Sequence, residues 1–310
     1  MNDATPREYR GSLIERGAAA FDYGLPPVVP ADDVAGGAAA PVDDAPILRR
    51  GDAAVDFGTA LVPGTHRRAA IDHDLLAARG MLIPGAPIGV LAEEFRLVKR
   101  QLLLTARAVA GGDAGKARKV LVTSANPDEG KTFCAVNLAL SMAAEQDIDI
   151  LLVDADFAKP ALLDTLGLPE GPGLLDVLAD PTHSLDDCII DTDLPHLSVL
   201  PAGARSNSDT ELLASDKAAT LLDAMAAADR RRIVIFDSPP VLAASPASTL
   251  ALHVGQTLLV VRADATSESD LRQSVQMLDG CEHIQLLLNR ATFNSGGPRF
   301  GSYYGGESPE

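Results

Sequence analysis

Residues 119–136 read KVLVTSANPDEGKTFCAV. Val120, Leu121 and Val122 form a short apolar run of the kind that builds a strand buried on both faces. The pattern then breaks over residues 124–130 into a loop holding Pro127 and Gly130. From Lys131 it turns helical, with Phe133, Val136, Leu138 and Leu140 following. Strand, loop and helix in this order are the layout of a P-loop nucleotide site. The first N–H groups of a helix lack partners within the helix. The loop and helix start, Ala125, Asn126, Pro127, Asp128, Glu129, Gly130, Lys131, Thr132 and Phe133, are therefore expected to cradle the phosphates of ATP, every residue but Pro127 having a backbone N–H to offer. Lys131 would meet the β- and γ-phosphates as a point charge, and the Thr132 hydroxyl would ligate Mg²⁺. The usual loop has glycine at both ends, whereas Ala125 holds the first of these positions. A chance Gly-Lys-Thr in a surface turn is the competing reading; the preceding strand, the following helix and two acidic strand ends downstream weigh against it.

Those strand ends come next. The run 148–153 (IDILLV) stops at Asp154-Ala155-Asp156, and RIVIFD, residues 232–237, stops at Asp237. Ligands of open α/β sheets bind beyond the carboxyl ends of the strands, so all three acids are expected to face the loop. A charge at the end of an apolar strand is costly unless paired, which calls for Mg²⁺ or a lysine nearby. Asp237 fits the acid that holds a Mg²⁺-bound water. Asp154 fits a group that accepts the proton of an attacking hydroxyl or positions that hydroxyl. The competing reading of each acid, the N-cap of a helix after its strand, is the weaker one and fits Asp237 least. A calcium loop is excluded, because Phe157-Ala158-Lys159 adds no ligand. The eukaryotic-type kinase signatures are absent too: there is no His-Arg-Asp, and residues 156–158 read Asp-Phe-Ala.

Further apolar runs at 197–200, 257–262 and 284–289 read as strands. Helices are expected over 88–110, after Pro160, over 174–178, over 209–228 with Asp209 or Thr210 as cap, and over 267–278 with Ser267, Glu268 and Asp270 at its positive end. This alternation predicts an α/β, P-loop NTPase-like fold, a mostly parallel sheet with helices on both faces. The P-loop domain is expected over 86–292. Residues 1–85, dominated by Ala, Gly, Pro and Asp, read as a mostly disordered arm in which Ile71, Leu75 and Leu76 dock only transiently and Tyr9 and Tyr23 are exposed. Residues 293–310 read as a flexible Gly/Ser/Pro-rich tail carrying Tyr303 and Tyr304.

Composition narrows the function. Of 310 residues 46% are hydrophobic, enough for a substantial core, and the formal charge of −17 opposes binding to nucleic acid or to an acidic membrane surface. Cys134, Cys188 and Cys281 are scattered and odd in number, so neither disulfides nor zinc are expected. No apolar run approaches ~18 residues and the N-terminus shows no signal-peptide core, so a cytoplasmic protein without a membrane span is expected. In the helix over 88–110, Leu91, Phe95, Val98, Leu102 and Leu103 mark the apolar stripe. Glu93, Arg96 and Lys99, spaced by three, share another face that read alone is a solvated one.

SANPDEGKT, LLVDADFAKP and IVIFDSPPVL, in that order, resemble the three nucleotide motifs of the bacterial tyrosine kinases, members of the deviant-Walker (ParA/MinD-like) ATPases. ELLAS at 211–215, VLPAG at 199–203 and EEFRLVKRQLL at 93–103 resemble further blocks of that family, nearest its exosortase-locus exopolysaccharide autokinases. The resemblance implies that Lys131, Asp154 and Asp156 are catalytic, that Thr132, Asp154 and Asp237 serve Mg²⁺, and that Asn289 reads adenine. It also implies that Glu93, Arg96 and Lys99 assemble a ring-like homo-oligomer, in which Tyr303 and Tyr304 of one subunit are phosphorylated by its neighbour. The implied partner is a membrane-embedded polysaccharide chain-length-determinant protein that recruits the kinase to the inner face of the plasma membrane. Lys99 stands where the family has Arg, and Ala158 where it often has Arg, with Lys159 adjacent. The competing class is a ParA/MinD-like ATPase that switches assembly without phosphorylating protein.

Overall fold

The strand residues of this chain are apolar on both sides, and the computed structural model shows why. It describes residues 66–180, 182–205 and 208–291. Eight strands form one sheet: β1 (Arg67–Ala69), β2 (Lys119–Ser124), β3 (Asp149–Asp154), β4 (Ile190–Thr192), β5 (Leu197–Leu200), β6 (Arg232–Asp237), β7 (Gln256–Arg262) and β8 (Ile284–Asn289). Their order is β1-β4-β5-β3-β6-β2-β7-β8. Every pairing is parallel except that of β4 with β5. Successive side chains of a strand point to opposite faces. Leu121, Leu151, Val153, Val234 and Phe236 accordingly lie in one core cluster, while Val120, Val122, Ile150, Leu152, Ile233 and Ile235 lie in the other.

One face is covered by α1 (His73–Ala78), α2 (Val90–Val109) and α3 (Lys131–Ala143). In α3 every residue from Cys134 to Ala143 is buried, as expected of a helix that is apolar all round. Its one buried amide, Asn137, is satisfied: Oδ1 accepts from Leu82 N at 2.7 Å and Nδ2 donates to Phe133 O at 2.8 Å. In α2, Phe95 and Leu102 are buried and Leu91, Val98 and Leu103 pack beside them, as the spacing predicts. The short helix α4 (Leu162–Leu166) packs on this same face through Leu162, Leu163 and Leu166. The other face carries α5 (Leu174–Ala179) and α6 (Leu185–Cys188), followed by α7 (Asp209–Leu213), α8 (Asp216–Ala227), α9 (Pro246–Ala251) and α10 (Glu268–Met277). Ser267 caps α10, its Oγ accepting from Asp270 N at 3.1 Å.

Three expectations need correction. The arm does not extend to residue 85: β1 pairs with β4, Ile71 and Leu76 are 5% and 0% exposed, and Asp193 Oδ1 accepts from Ile71 N at 2.8 Å. The folded domain thus begins by Arg67, because these few apolar side chains fill the edge of the α1–α3 face. Second, the helix expected over 209–228 is two helices. Ser215 interrupts it and caps the second, its Oγ accepting from Ala218 N at 3.1 Å. Third, Lys99 does not share an outward face with Glu93 and Arg96. Its ammonium reaches α3, donating to Ser141 O at 3.1 Å and to Glu145 Oε1 at 2.5 Å, while Arg96 pairs with Glu93 at 2.5 Å in solvent. Tyr9, Tyr23, Tyr303 and Tyr304 lie outside the described residues.

Candidate active site

The sheet order brings the expected site together. β2, β3 and β6 are neighbours, Asp154 and Asp237 are register partners, and Val122, just before the loop, pairs with Asp237. The loop leaves β2 and enters α3 through Gly130 at φ 98°, where a side chain is strained; Asp128 also has positive φ, at 62°. Ala125 has no positive φ, and its backbone carbonyl accepts from Leu242 N at 3.3 Å, so alanine meets no conformational obstacle in the first glycine position.

Lys131 Nζ lies 2.6 Å from Asp156 Oδ2. Burial works against its charge, but the carboxylates of Asp237, Asp156 and Asp154 prevail and raise its pKa. Asp156 Oδ1 accepts from Lys159 N at 3.1 Å. Asp154 is 1% exposed and accepts three backbone bonds, from Asp156 N at 3.2 Å and from Ala161 N and Leu162 N at 3.0 Å each. Asp154 is not itself a helix N-cap: that position before α4 is Ala161, and Asp154 meets the start of α4 from the end of its strand. Burial lifts its pKa to about 6 against those three N–H groups. Asp237, fully buried, is lifted further, to about 7: burial dominates, the Lys131 charge opposes it, and the charges of Asp154 and Asp156 reinforce it. Thr132 lies close enough to lower it, but no aligned hydrogen bond reaches either Asp237 oxygen.

Two orphaned carboxylate oxygens beside a hydroxyl and a second carboxylate fit a hard divalent cation. Among the described residues no group of three or more His, Cys, Asp or Glu is arranged as a protein-only metal cage. That donor set suits Mg²⁺, which takes one or two carboxylates and completes its shell with water and substrate phosphates.

The loop is also braced from behind, which the sequence did not disclose. Glu129, 3% exposed, accepts from Asn126 N at 3.0 Å through Oε2 and from Thr266 Oγ at 2.6 Å through Oε1. Asn126 Nδ2 donates to Asp270 Oδ2 at 3.1 Å, which ties the loop to the start of α10. Asn289 closes the other side: Nδ2 donates to Glu129 O at 2.9 Å, and Oδ1 accepts from Arg290 N at 2.8 Å. Both polar ends of Asn289 are thus engaged, and adenine reading would require them to exchange partners. Thr266 carries no local signal; only the fold sets it beside a residue so distant in sequence. Phe133, at the start of α3, packs against the α1–α3 core. Cys134 follows it, 2% exposed, its thiol pushed up to about 12 by burial and then by the Asp237 charge; burial pushes Cys188 to about 11. Glu93, Arg96 and Lys99 lie on α2, away from these groups.

Comparison with known proteins agrees with this geometry. A family model described as an AAA domain matches residues 119–289, more than half of the chain. The chain is 34% identical over 166 residues to the tyrosine-protein kinase YwqD of Bacillus subtilis, covering 53% of this chain and 68% of that protein. It is 31% identical over 208 residues to the putative tyrosine-protein kinase EpsB of Ralstonia nicotianae, covering 66% of this chain but 27% of the relative, so it spans about a quarter of that protein's length. Among solved structures, the VpsO kinase domain is 32% identical with a TM-score of 0.52, covering 64% of this chain and 98% of that one. No helix among the described residues is long and apolar enough to cross a membrane. With the phosphate loop, the paired acids and these relatives in agreement, the chain belongs to the AAA-domain P-loop proteins and, among them, to the bacterial tyrosine-protein kinase family.

Proposed function

We propose that this chain is an ATP-dependent protein-tyrosine kinase that transfers the γ-phosphoryl group of ATP to Tyr303 and Tyr304 of a neighbouring subunit. The observation that carries the reading is the convergence of Lys131, Asp154, Asp156 and Asp237 at the ends of adjacent strands beside the loop. The loop N–H groups and Lys131 bind and orient the phosphates of the substrate. Thr132 and Asp237, with Asp154 near, would hold Mg²⁺, which when bound supplies charge neutralisation for the transferring group. Asp154, its pKa lifted by burial, would position the tyrosine hydroxyl and take its proton as the bond to phosphorus forms. The balance is simple: the tyrosine oxygen bonds to the γ-phosphorus, the bridging β–γ oxygen leaves with ADP, and the proton passes to Asp154. Asp156 sets Lys131 in place.

The same reading extends outward. Glu93 and Arg96 on α2 would help assemble a ring-like homo-oligomer, Lys99 contributing by fixing α2 on α3. A membrane-embedded chain-length-determinant protein would activate the kinase and recruit it from the cytoplasm to the inner face of the plasma membrane. Exopolysaccharide synthesis or export is the process controlled.

Intact-mass measurement after incubation with Mg-ATP tests the central claim. Phosphate-sized gains should appear and vanish in the Tyr303→Phe/Tyr304→Phe chain. Phosphate release with no mass gain would overturn it in favour of a nucleotide-dependent assembly switch.

A further inference from the structure

Asp154 also lines a cleft of about 710 Å³ on the β5 side of the sheet, bounded by the turn after Pro160 and by the segment following β5, Pro201 to Ala204. Its other titratable groups are Asp164, Glu170, Asp176 and His183, and its described lining residues include no Lys or Arg. Asp176 belongs to the wall: Oδ2 accepts from Gly173 N at 2.8 Å and from Ala204 N at 3.2 Å. Gly203 stands at φ 87°, and a Cβ there would come within 2.4 Å of that oxygen, so the wall is pinned backbone. Asp164 and Glu170 are different. Both are exposed, and neither carboxylate has an ion pair or hydrogen bond among the described residues. The cleft therefore leads from the proposed proton acceptor to two carboxylates without an ion-pair partner, with the Arg67 guanidinium close by, donating to the Glu170 backbone carbonyl at 2.7 Å.

A segment of matching chemistry exists in the same chain. Between Phe293 and Tyr304 the only charged residue is Arg299, four positions before Tyr303, while Glu307 and Glu310 both follow the tyrosines. Four extended residues span about 13 Å, the scale of such a cleft. The twelve residues from Ala291 to Tyr303 extend to about 40 Å, ample length for a neighbouring subunit to offer its tail.

We propose that this acidic cleft is the docking site for tail residues 298–304, with Asp164 and Glu170 receiving Arg299 so that a tail tyrosine is set at Asp154. This rests on the kinase reading and adds a rule to it: the enzyme selects tyrosines that follow a basic residue by about four positions.

The test uses the full chain carrying Arg299→Ala, Tyr303→Phe and Tyr304→Phe, so that its own tail neither competes nor accepts. A synthetic peptide of residues 292–310 is added with Mg-ATP. Phosphate incorporation is followed by mass, and peptide binding separately by fluorescence anisotropy. Arg299→Ala in the peptide should raise KM and Kd about three- to tenfold, the range for a solvent-accessible charge cluster, and added salt should erase the difference. Asp164→Asn and Glu170→Gln in the protein should do the same to the parent peptide, little to the Arg299→Ala peptide, and nothing to ATP affinity. Equal binding and phosphorylation of the two peptides would overturn the docking assignment while leaving the kinase intact. Charge-sensitive binding with no phosphorylation would uphold the cleft and overturn the kinase reading instead.

Discussion

Lys131 Nζ sits 2.6 Å from Asp156 Oδ2, so the lysine meant for phosphate is already held by a carboxylate. A nucleotide must draw it away or share it. Asp156→Asn removes the competing charge and should tighten ATP binding by about tenfold while slowing phosphoryl transfer, because Lys131 is no longer oriented. Lys131→Ala should abolish nucleotide retention and leave the fold intact. Calorimetric titration with ATP and circular dichroism measure both. Undiminished ATP binding by Lys131→Ala would refute the loop assignment.

Asp237 gives a pH dependence whose sign is fixed by its raised pKa. The folded chain holds that proton up to about pH 7, whereas the unfolded chain releases it near the ordinary value of 3.8. Between those values the folded state binds more protons, so the stability this group confers is full below the lower value and is lost as pH rises through 7. Asp237→Asn should therefore raise Tm by about 4 °C at pH 8 and change it little near pH 4. Mg-ATP should stabilise the parent more than the variant, since only the ionised carboxylate attracts a cation.

Gly130 is held by two constraints, a φ of 98° and a neighbour. A Cβ there would stand 2.2 Å from Asn289 Nδ2. Gly130→Ala should cost about 1–3 kcal/mol and weaken ATP binding. Adding Asn289→Ala should recover the steric part and leave the backbone part. Chemical denaturation of the two single variants and the double variant separates them; strict additivity would show that the amide is not the obstacle.

On α2, neighbouring cations have different work. Lys99, 12% exposed at its side chain, bonds Ser141 O and Glu145, so Lys99→Ala should lower stability by about 1 kcal/mol. Arg96 pairs with Glu93 in solvent, and Arg96→Ala should cost less than about 0.5 kcal/mol. Sedimentation velocity should nevertheless show weaker self-association for Arg96→Ala, and urea unfolding should show the larger loss for Lys99→Ala.

The strands that build the site were legible because each is an apolar run with a polar end: RIVIFD and IQLLLN coincide with β6 and β8 to the residue. The three acids were legible because strand order in such sheets puts carboxyl ends on one edge. Three-residue strands were not: β1 lies in a stretch rich in Ala, Gly, Pro and Asp, and β4 gains its place only by pairing with β1 and β5. Ser215-Asp216 is a cap signal inside an otherwise continuous helical pattern, and apolar periodicity runs across it without a break. Periodicity also put Lys99 on the Arg96 face, yet its long stem bends toward the carbonyl end of a neighbouring helix, a contact that spacing within one helix does not encode. The Glu129–Thr266 bond joins residues far apart in sequence and has no local trace.

All three thiols of this chain are buried, and those of Cys134 and Cys188 are held far into the neutral form. Alkylating reagents attack thiolates, so the native chain should resist them without any cysteine being removed. A single cysteine introduced on an exposed residue of α2 or of the cleft rim would then take a fluorophore or spin label selectively, with the natural background silent until the chain unfolds.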